Sequence, residues 1–554
     1  MTRLNNEALK DVLAATAVLV ITAVVYGLLF NRETTLSYSI GYNLYGAERV
    51  LSGEIPYLDF HTLYPPGTVY LNALLFKIIG IGLFSALFGV LLFKVGTILV
   101  IYACSRMAMP RAWSVFTTFS AVLWLRPNGP FKAAPMHYGA LFLALALYFT
   151  LEGERRESAR CSFAAGFSIG LLALFKHNIG AYALAGIIAL QLAPYLMSLY
   201  RRSEAKRFDR RLLWVIGGFC LPVLPVILFF WSKGALDAMI RSLLFGSGEF
   251  LVSRLAASPS PVAPAALVVI ATGAVWLGRR LEEAQMLYWS ALLLLVVVFA
   301  FFGPQSAIDQ LIFYGPILVI ISGFAVCLTA REISTEQRRM LAAFVIVALA
   351  SFLEAFPRFA REQAIASMPF VLPALFLQVY LIRNWLERAP GIARGAAIAL
   401  AITPVLFACL GIRVFTSSFL AGAAFKSDTP LSIERGRRVY FPENTAREID
   451  DVVSFIKERV PPGGYFFAES YAGSSFLFLA ERNNPSGAQF WGGVGVTPTE
   501  RERTLNAIKD RSVNLIVTSD RDREAEKYRP MRDYIDDNFR ETRRFGEVVI
   551  LERR

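Results

Sequence analysis

The 554-residue chain is poor in the groups from which most soluble catalysts and redox centres are built. It has three histidines and five cysteines. Cys104, Cys161, Cys220, Cys327 and Cys409 fall singly inside apolar runs with no CxxC spacing, so neither a disulfide framework nor a thiolate metal site is indicated. No GxGxxG follows a strand-like run and there is no GxxxxGK[ST], so a nucleotide finds no Gly-rich cradle. Charge is scarce as well: 18% of residues are Asp, Glu, Lys or Arg against 55% hydrophobic, where an ordinary globular chain carries about 25% charged residues. With a mean hydropathy of +0.49, this is the composition of a membrane protein whose main partner is the lipid bilayer.

What is present is a recurring apolar run. About twenty residues cross the hydrocarbon core, and about thirteen stretches of that kind recur along the chain. The first, residues 9–30, is preceded by Arg3 and Lys10 and is too long for a removable signal peptide, so it reads as an anchor with a cytoplasmic N-terminus. A formal net charge of +13 raises the question of nucleic acid. The basic residues, however, cluster in alternate short turns, among them Arg106 and Arg111, Arg155, Arg156 and Arg160, Arg210 and Arg211, and Arg338 and Arg339. That alternation is the positive-inside pattern of membrane proteins, and no nucleic acid is expected. The opposite loops are richer in isolated polar groups and are where chemistry is expected.

The expected architecture is a mainly α polytopic membrane protein over residues 1–415, with a small C-terminal α/β soluble domain over 416–554. In that second part, helical spacing at 445–459, 499–509 and 528–539 alternates with strand-like runs at 465–468, 513–518 and 548–551. An odd number of spans puts this part on the face opposite the N-terminus.

Within the first part, residues 31–80 form an external loop crowded with tyrosines and broken by Pro65-Pro66-Gly67, too polar to leave in lipid. Its residues 41–51 have helical spacing and read as a helix lying along the interface. From Ala47 to Gly53, through Pro56-Tyr57, Asp59-Phe60 and Tyr64-Pro65-Pro66-Gly67 to Tyr70-Leu71, this loop resembles the first external loop of the C-type glycosyltransferases. These polytopic enzymes, related to the protein O-mannosyltransferases and the lipid A aminoarabinose transferases, use polyprenyl-phosphate sugars. Phe476-Leu477-Phe478-Leu479-Ala480-Glu481-Arg482 resembles the tail of bacterial members. The resemblance covers most of the chain and departs from the family first at Ser39 and Ile40, which stand where the family has an acidic pair.

The resemblance implies a polyprenyl-phosphate-linked sugar as donor, a glycan or lipid acceptor, and a bacterial-type inner membrane with the C-terminal domain in the periplasm. Asp59, beside His61, is then the first candidate for catalytic base, with Glu48 a second; a carboxylate there can equally bind turn amides. For the phosphate, Lys176 interrupts apolar sequence and is a competent point charge, or it snorkels to headgroups. Arg358 in Phe356-Pro357-Arg358 is a second cation, although the Asp and His that follow in the family are Ala360 and Gln363 here. Tyr57 and Tyr64 can stack on a sugar or belong to the interface belt, and Arg126, His61 and His177 can line the site. No metal ligand set and no certain cofactor is assigned; a divalent metal ion requires the separate loops of His61, His137 and His177 to converge. A relative that binds lipid-linked glycans without catalysis, or a lipid or glycan transporter, is the alternative.

Overall fold

The computed structural model describes residues 2–36, 38–125, 134–200, 209–245, 303–330, 333–355, 361–386, 393–420, 427–469, 473–487, 498–520, 523 and 528–554. The described helices of the first part are α1 (Thr2–Gly27), α2 (Tyr38–Leu51), α3 (Gly67–Ile79), α4 (Leu83–Ala108), α5 (Arg111–Trp124), α6 (Pro135–Arg156), α7 (Ala159–Phe175), α8 (His177–Tyr200), α9 (Arg211–Ser232), α10 (Leu236–Phe245), α11 (Gln305–Thr329), α12 (Thr335–Phe352), α13 (Arg361–Leu386) and α14 (Ala393–Leu420). Among the described residues, six helices are long and apolar enough to cross a membrane. The expected count of about thirteen includes stretches in 246–302, which lie outside the described residues.

The apolar side chains leave the bundle in belts. Leu9, Val12, Leu13, Val20 and Val24 on α1, and Leu213, Trp214, Leu221, Leu228 and Trp231 on α9, are all exposed. In water such belts would be prohibitive; in lipid they need no partner, while the backbone is satisfied within each helix.

The arginine-rich turns gather at one end of the bundle, as the charge alternation requires. Arg106 and Arg111, at the end of α4 and the start of α5, both reach Asp11 of α1, at 3.0 and 2.7 Å. Glu154, near the end of α6, lies 2.9 Å from Arg339 of α12 and 3.6 Å from Arg211 of α9. Ser334 starts α12 with a reciprocal capping box to Gln337. The other ends of α7, α9 and α12 therefore meet at the opposite end, where α8 and α10 begin.

The helix expected along the interface exists but is covered on both sides. Residues 41–47 are all buried, because α2 packs between α3 and a short apolar helix from far along the chain, α16 (Gly473–Ala480). Gly41 is required there: a Cβ on it would sit 2.1 Å from the Ser475 backbone nitrogen. Tyr45 accepts the Asn484 N–H at 2.9 Å, and burial pushes its phenol up to about 12, so the hydroxyl stays neutral. Instead of lying along the interface, its residues 41–47 face protein, since the covering element lies more than four hundred residues downstream, beyond the reach of a local pattern.

After β1 (Ser427–Pro430) and β2 (Tyr440–Pro442), an antiparallel pair, comes α15 (Glu443–Arg459). A four-stranded sheet follows in the order β3, β4, β6, β5, with β3 (Phe467–Ala468) parallel to β4 (Leu515–Thr518) and the remaining pairings, to β6 (Val548–Arg553) and β5 (Phe539–Phe545), antiparallel. The helices α17 (Pro498–Asp510) and α18 (Arg529–Asn538) accompany it. Leu431, Phe441, Ile449 and Phe476 belong to the same buried cluster as the bundle, whereas Leu505, Ile508, Ile516, Met531 and Leu551 form a second one.

Glu481, in the left-handed region just after α16, ties α16 to the end of α15 and to Arg435 electrostatically. Burial raises its carboxyl, but the hydrogen bond from Lys457 with the charges of Arg435 and Arg482 prevails and holds it below its ordinary value. A depressed carboxyl stabilises the fold above the ordinary carboxylate range and loses that contribution as pH falls through the folded value. Stability is therefore expected to drop below about pH 4, with a shallower drop in Lys457→Met; thermal unfolding of both proteins across that range checks it, and identical slopes would remove Glu481 from the linkage.

Candidate functional site

The site is built from four pieces of chain that meet at the loop end. The first is the segment after α2. Gly53 takes φ 94° and Tyr57 φ 67°, a conformation that costs a non-glycine residue about 1–2 kcal/mol. Tyr57 is held there by its N–H bonding Phe60 O at 2.7 Å, its hydroxyl donating to Tyr64 O at 2.6 Å, and its ring meeting Phe230 of α9 edge-on at 5.4 Å. Burial raises its phenol well above the ordinary range, which keeps that hydroxyl a donor.

Asp59 closes the same turn: its Oδ2 accepts the Ile55 N–H at 2.7 Å while its own N–H returns to Ile55 O at 2.9 Å. The side chain is otherwise exposed. Arg49 braces the loop from below, donating to Glu54 at 2.7 Å and to Asp59 O at 3.0 Å, with its guanidinium 4.8 Å from the Phe60 ring centre.

The second piece is the break between α7 and α8. Lys176 leaves helical geometry at φ −142° and ψ 87°, and α8 begins on the next residue. The third is the one-turn helix Leu353–Ala355 that follows α12. Lys176 Nζ lies 2.8 Å from Glu354 Oε1, with side chains only 15% and 10% exposed, and 4.9 Å from the centre of the Tyr64 ring. The approach of Tyr64 depends on the Pro65-Pro66-Gly67 break, because α3 starts against the α7 end: a Cβ on Gly67 would stand 2.5 Å from Leu174 O. A buried ammonium without a counterion costs several kcal/mol, roughly, so the Glu354 pairing and the ring face together make this cation tolerable.

The fourth piece is α10, whose Met239, with Ala235 just before the helix, belongs to one buried cluster with Tyr57 and Phe230. Two histidines lean on it from different sides. His61 Nε2 is 3.4 Å from Ser242 Oγ, which also donates to Thr62 O at 2.5 Å. His177 bonds the backbone of Leu243, while its Nδ1 is buried without a partner.

The structure thus joins Tyr57, Tyr64 and Lys176 in one network and brings His61 and His177 onto one helix. Glu48 is elsewhere: both its oxygens are held by Arg435, at 2.6 and 2.8 Å, and Arg435 also bonds Phe478 O. His137 sits in the first turn of α6. Arg126 and Arg358 lie outside the described residues. Among the described residues no group of three or more His, Cys, Asp or Glu is gathered as a metal cluster. Glu354 and Arg435 were not singled out in the sequence; Glu354 carried one signal, a lone carboxylate closing a long apolar run.

Residues 64–229 match the dolichyl-phosphate-mannose-protein mannosyltransferase family. The oligosaccharyltransferase of Archaeoglobus fulgidus, tethered to an acceptor peptide containing the NVT sequon, superposes with a TM-score of 0.52 at 15% identity, over 95% of this chain and 72% of that one. The fold is that of the C-type glycosyltransferases. The same archaeal enzyme in complex with zinc and sulfate gives 0.50 at 16% identity, over 94% and 71%. ArnT of Cupriavidus metallidurans bound to undecaprenyl phosphate gives 0.46 at 13%, over 97% of each chain. No curated protein matches the chain in sequence. Within this C-type glycosyltransferase fold, the matched stretch contains Tyr64, Gly67, Lys176 and His177, whereas Asp59 and Glu354 fall outside it.

Proposed function

We propose that the chain is a membrane glycosyltransferase that takes a sugar from a polyprenyl-phosphate-linked donor and delivers it to a hydroxyl of a cell-envelope or lipid-linked acceptor. The observation that carries this reading is the largely buried Lys176 ammonium, set at the loop end of a C-type fold between an aromatic face and a carboxylate. A lysine so placed is a point charge suited to a phosphate oxygen. The donor type named by the family matched over residues 64–229 is in keeping with it.

In the transfer, the acceptor oxygen attacks the anomeric carbon, and the bond from that carbon to the phosphate oxygen breaks. The polyprenyl phosphate leaves with the electron pair, and the acceptor proton passes to a carboxylate. Asp59 is our choice for that carboxylate. One oxygen is fixed by the Ile55 amide, which orients the group, and the side chain is otherwise exposed on the loop; Glu48 is less suited because Arg435 takes both its oxygens. Tyr57, Tyr64, His61 and His177 would wall the sugar and phosphate, with Arg126 and Arg358 as further cations. By the positive-inside rule the arginine-rich end faces the cytoplasm, so the reaction and the C-terminal part would face the outside of a bacterial-type inner membrane.

One observation favours a silent, glycan-binding relative: Ser39 and Ile40 stand where the resemblance implies an acidic pair. Transfer from purified polyprenyl-phosphate sugars, assayed in nanodiscs with cell-envelope acceptors, separates the two. Asp59→Ala is expected to lower the rate about 10²–10⁴-fold, the usual worth of a positioned base, at unchanged membrane expression. An unchanged rate would remove Asp59 from the chemistry, and lipid binding with no turnover in the wild type would establish the silent reading.

A further inference from the structure

At 2.8 Å from Nζ, Glu354 occupies the position that the reading above gives to phosphate. The pair joins two elements 178 positions apart in sequence, the α7 to α8 break and the turn that ends α12, and neither side chain is more than 15% exposed. Among the described residues the Glu354 carboxylate makes no other hydrogen bond or ion pair, so of these Lys176 is what fixes it there.

We propose that Glu354 is a displaceable counterion: it neutralises Lys176 in the resting protein, yields the ammonium to the lipid phosphate, and reclaims it when the product leaves. The inference rests on the lipid-phosphate reading and adds a regulation of that same site. Its logic is charge balance. A largely buried ammonium left alone is costly, so a site that waits for an anion needs a resident one. The donor is a phosphodiester with a single negative charge and competes with the carboxylate on nearly equal terms. The released polyprenyl phosphate is a monoester, with a charge of about −1.5 to −2 near neutral pH, and would hold a bare lysine much more tightly. A tethered carboxylate at contact distance counters that hold and speeds product release. The Tyr64 ring keeps the ammonium in place during the exchange, since its attraction does not depend on which anion is present.

The test is the affinity of the full chain in nanodiscs for undecaprenyl phosphate, measured by native mass spectrometry or calorimetry. Glu354→Gln, which keeps the shape and removes the charge, is expected to bind about tenfold more tightly, in line with the loss of one charged competitor. Glu354→Asp, whose shorter arm cannot hold the 2.8 Å contact without movement, should show a smaller gain. In the Lys176→Ala background, Glu354→Gln should bring no gain. A carboxylate that only repelled the phosphate through space would give the same gain in the Lys176→Ala background, so the loss of the gain there is diagnostic. Equal or weaker binding by both Glu354 variants, with the wild type binding normally, would overturn the counterion role and leave the lipid-phosphate reading standing. No binding by the wild type or by Glu354→Gln would overturn that reading, and the inference with it.

Discussion

Lys176→Ala is expected to abolish measurable sugar transfer and to weaken undecaprenyl phosphate binding by about 10–100-fold, the worth of one charge-assisted contact. The same substitution strands the Glu354 carboxylate, now mostly buried without the ammonium that lay at 2.8 Å. Breaking a buried pair from one side costs about 3–5 kcal/mol of stability, so a drop in activity alone would be ambiguous. The double variant Lys176→Ala/Glu354→Gln resolves it, because removing both partners leaves no buried charge. Thermal stability is expected to recover most of the way in the double variant while phosphate binding does not. Recovery of binding together with stability would mean that Lys176 serves the fold and not the ligand.

The second large effect is on the fold itself. Gly41→Val is expected to destabilise the chain by at least about 1–3 kcal/mol, the usual cost of forcing extra volume into a packed contact. A Cβ at this position would lie 2.1 Å from the Ser475 nitrogen and 2.3 Å from its Cα. Both are backbone atoms, so no rotamer change relieves the clash. The two helices must part, and with them the Tyr45 bond to Asn484 and the Glu48 pair with Arg435, which lie along the same seam. The region after residue 427 should then become sensitive to protease while the bundle stays resistant. Gly27→Ala is the control, since nothing lies within 4 Å of a Cβ there; equal behaviour of the two variants would contradict the clamp around α2.

The helices were legible because their signals are local: apolar length, arginine-rich turns, and the Pro65-Pro66-Gly67 break. The limits of local reading show in particular residues. Glu48 looks like a solvated carboxylate on an amphipathic helix, and only Arg435, 387 positions away, reveals it as a structural tie. Asp59 offered two readings, turn cap and base; the cap exists, and the base remains a proposal about its exposed side. Lys176 was legible as a cation out of place, but its partner was not, because nothing in the spacing links it to Glu354. The strand β5, Phe-Arg-Glu-Thr-Arg-Arg-Phe, has a charged surface pattern that carries no strand signal; it forms because β6 offers it an antiparallel edge, with a register shift between Glu541 and Arg543. The family resemblance read from the first loop agrees with the matched stretch and the superposed fold.

The most direct test is a structure of the chain in nanodiscs with undecaprenyl phosphate, solved by electron microscopy. The predicted result is a phosphate in contact with Lys176 Nζ beside the Tyr64 ring, with the Glu354 carboxylate moved off its 2.8 Å contact. A headgroup bound elsewhere, with the Lys176 to Glu354 pair still closed, would contradict the account.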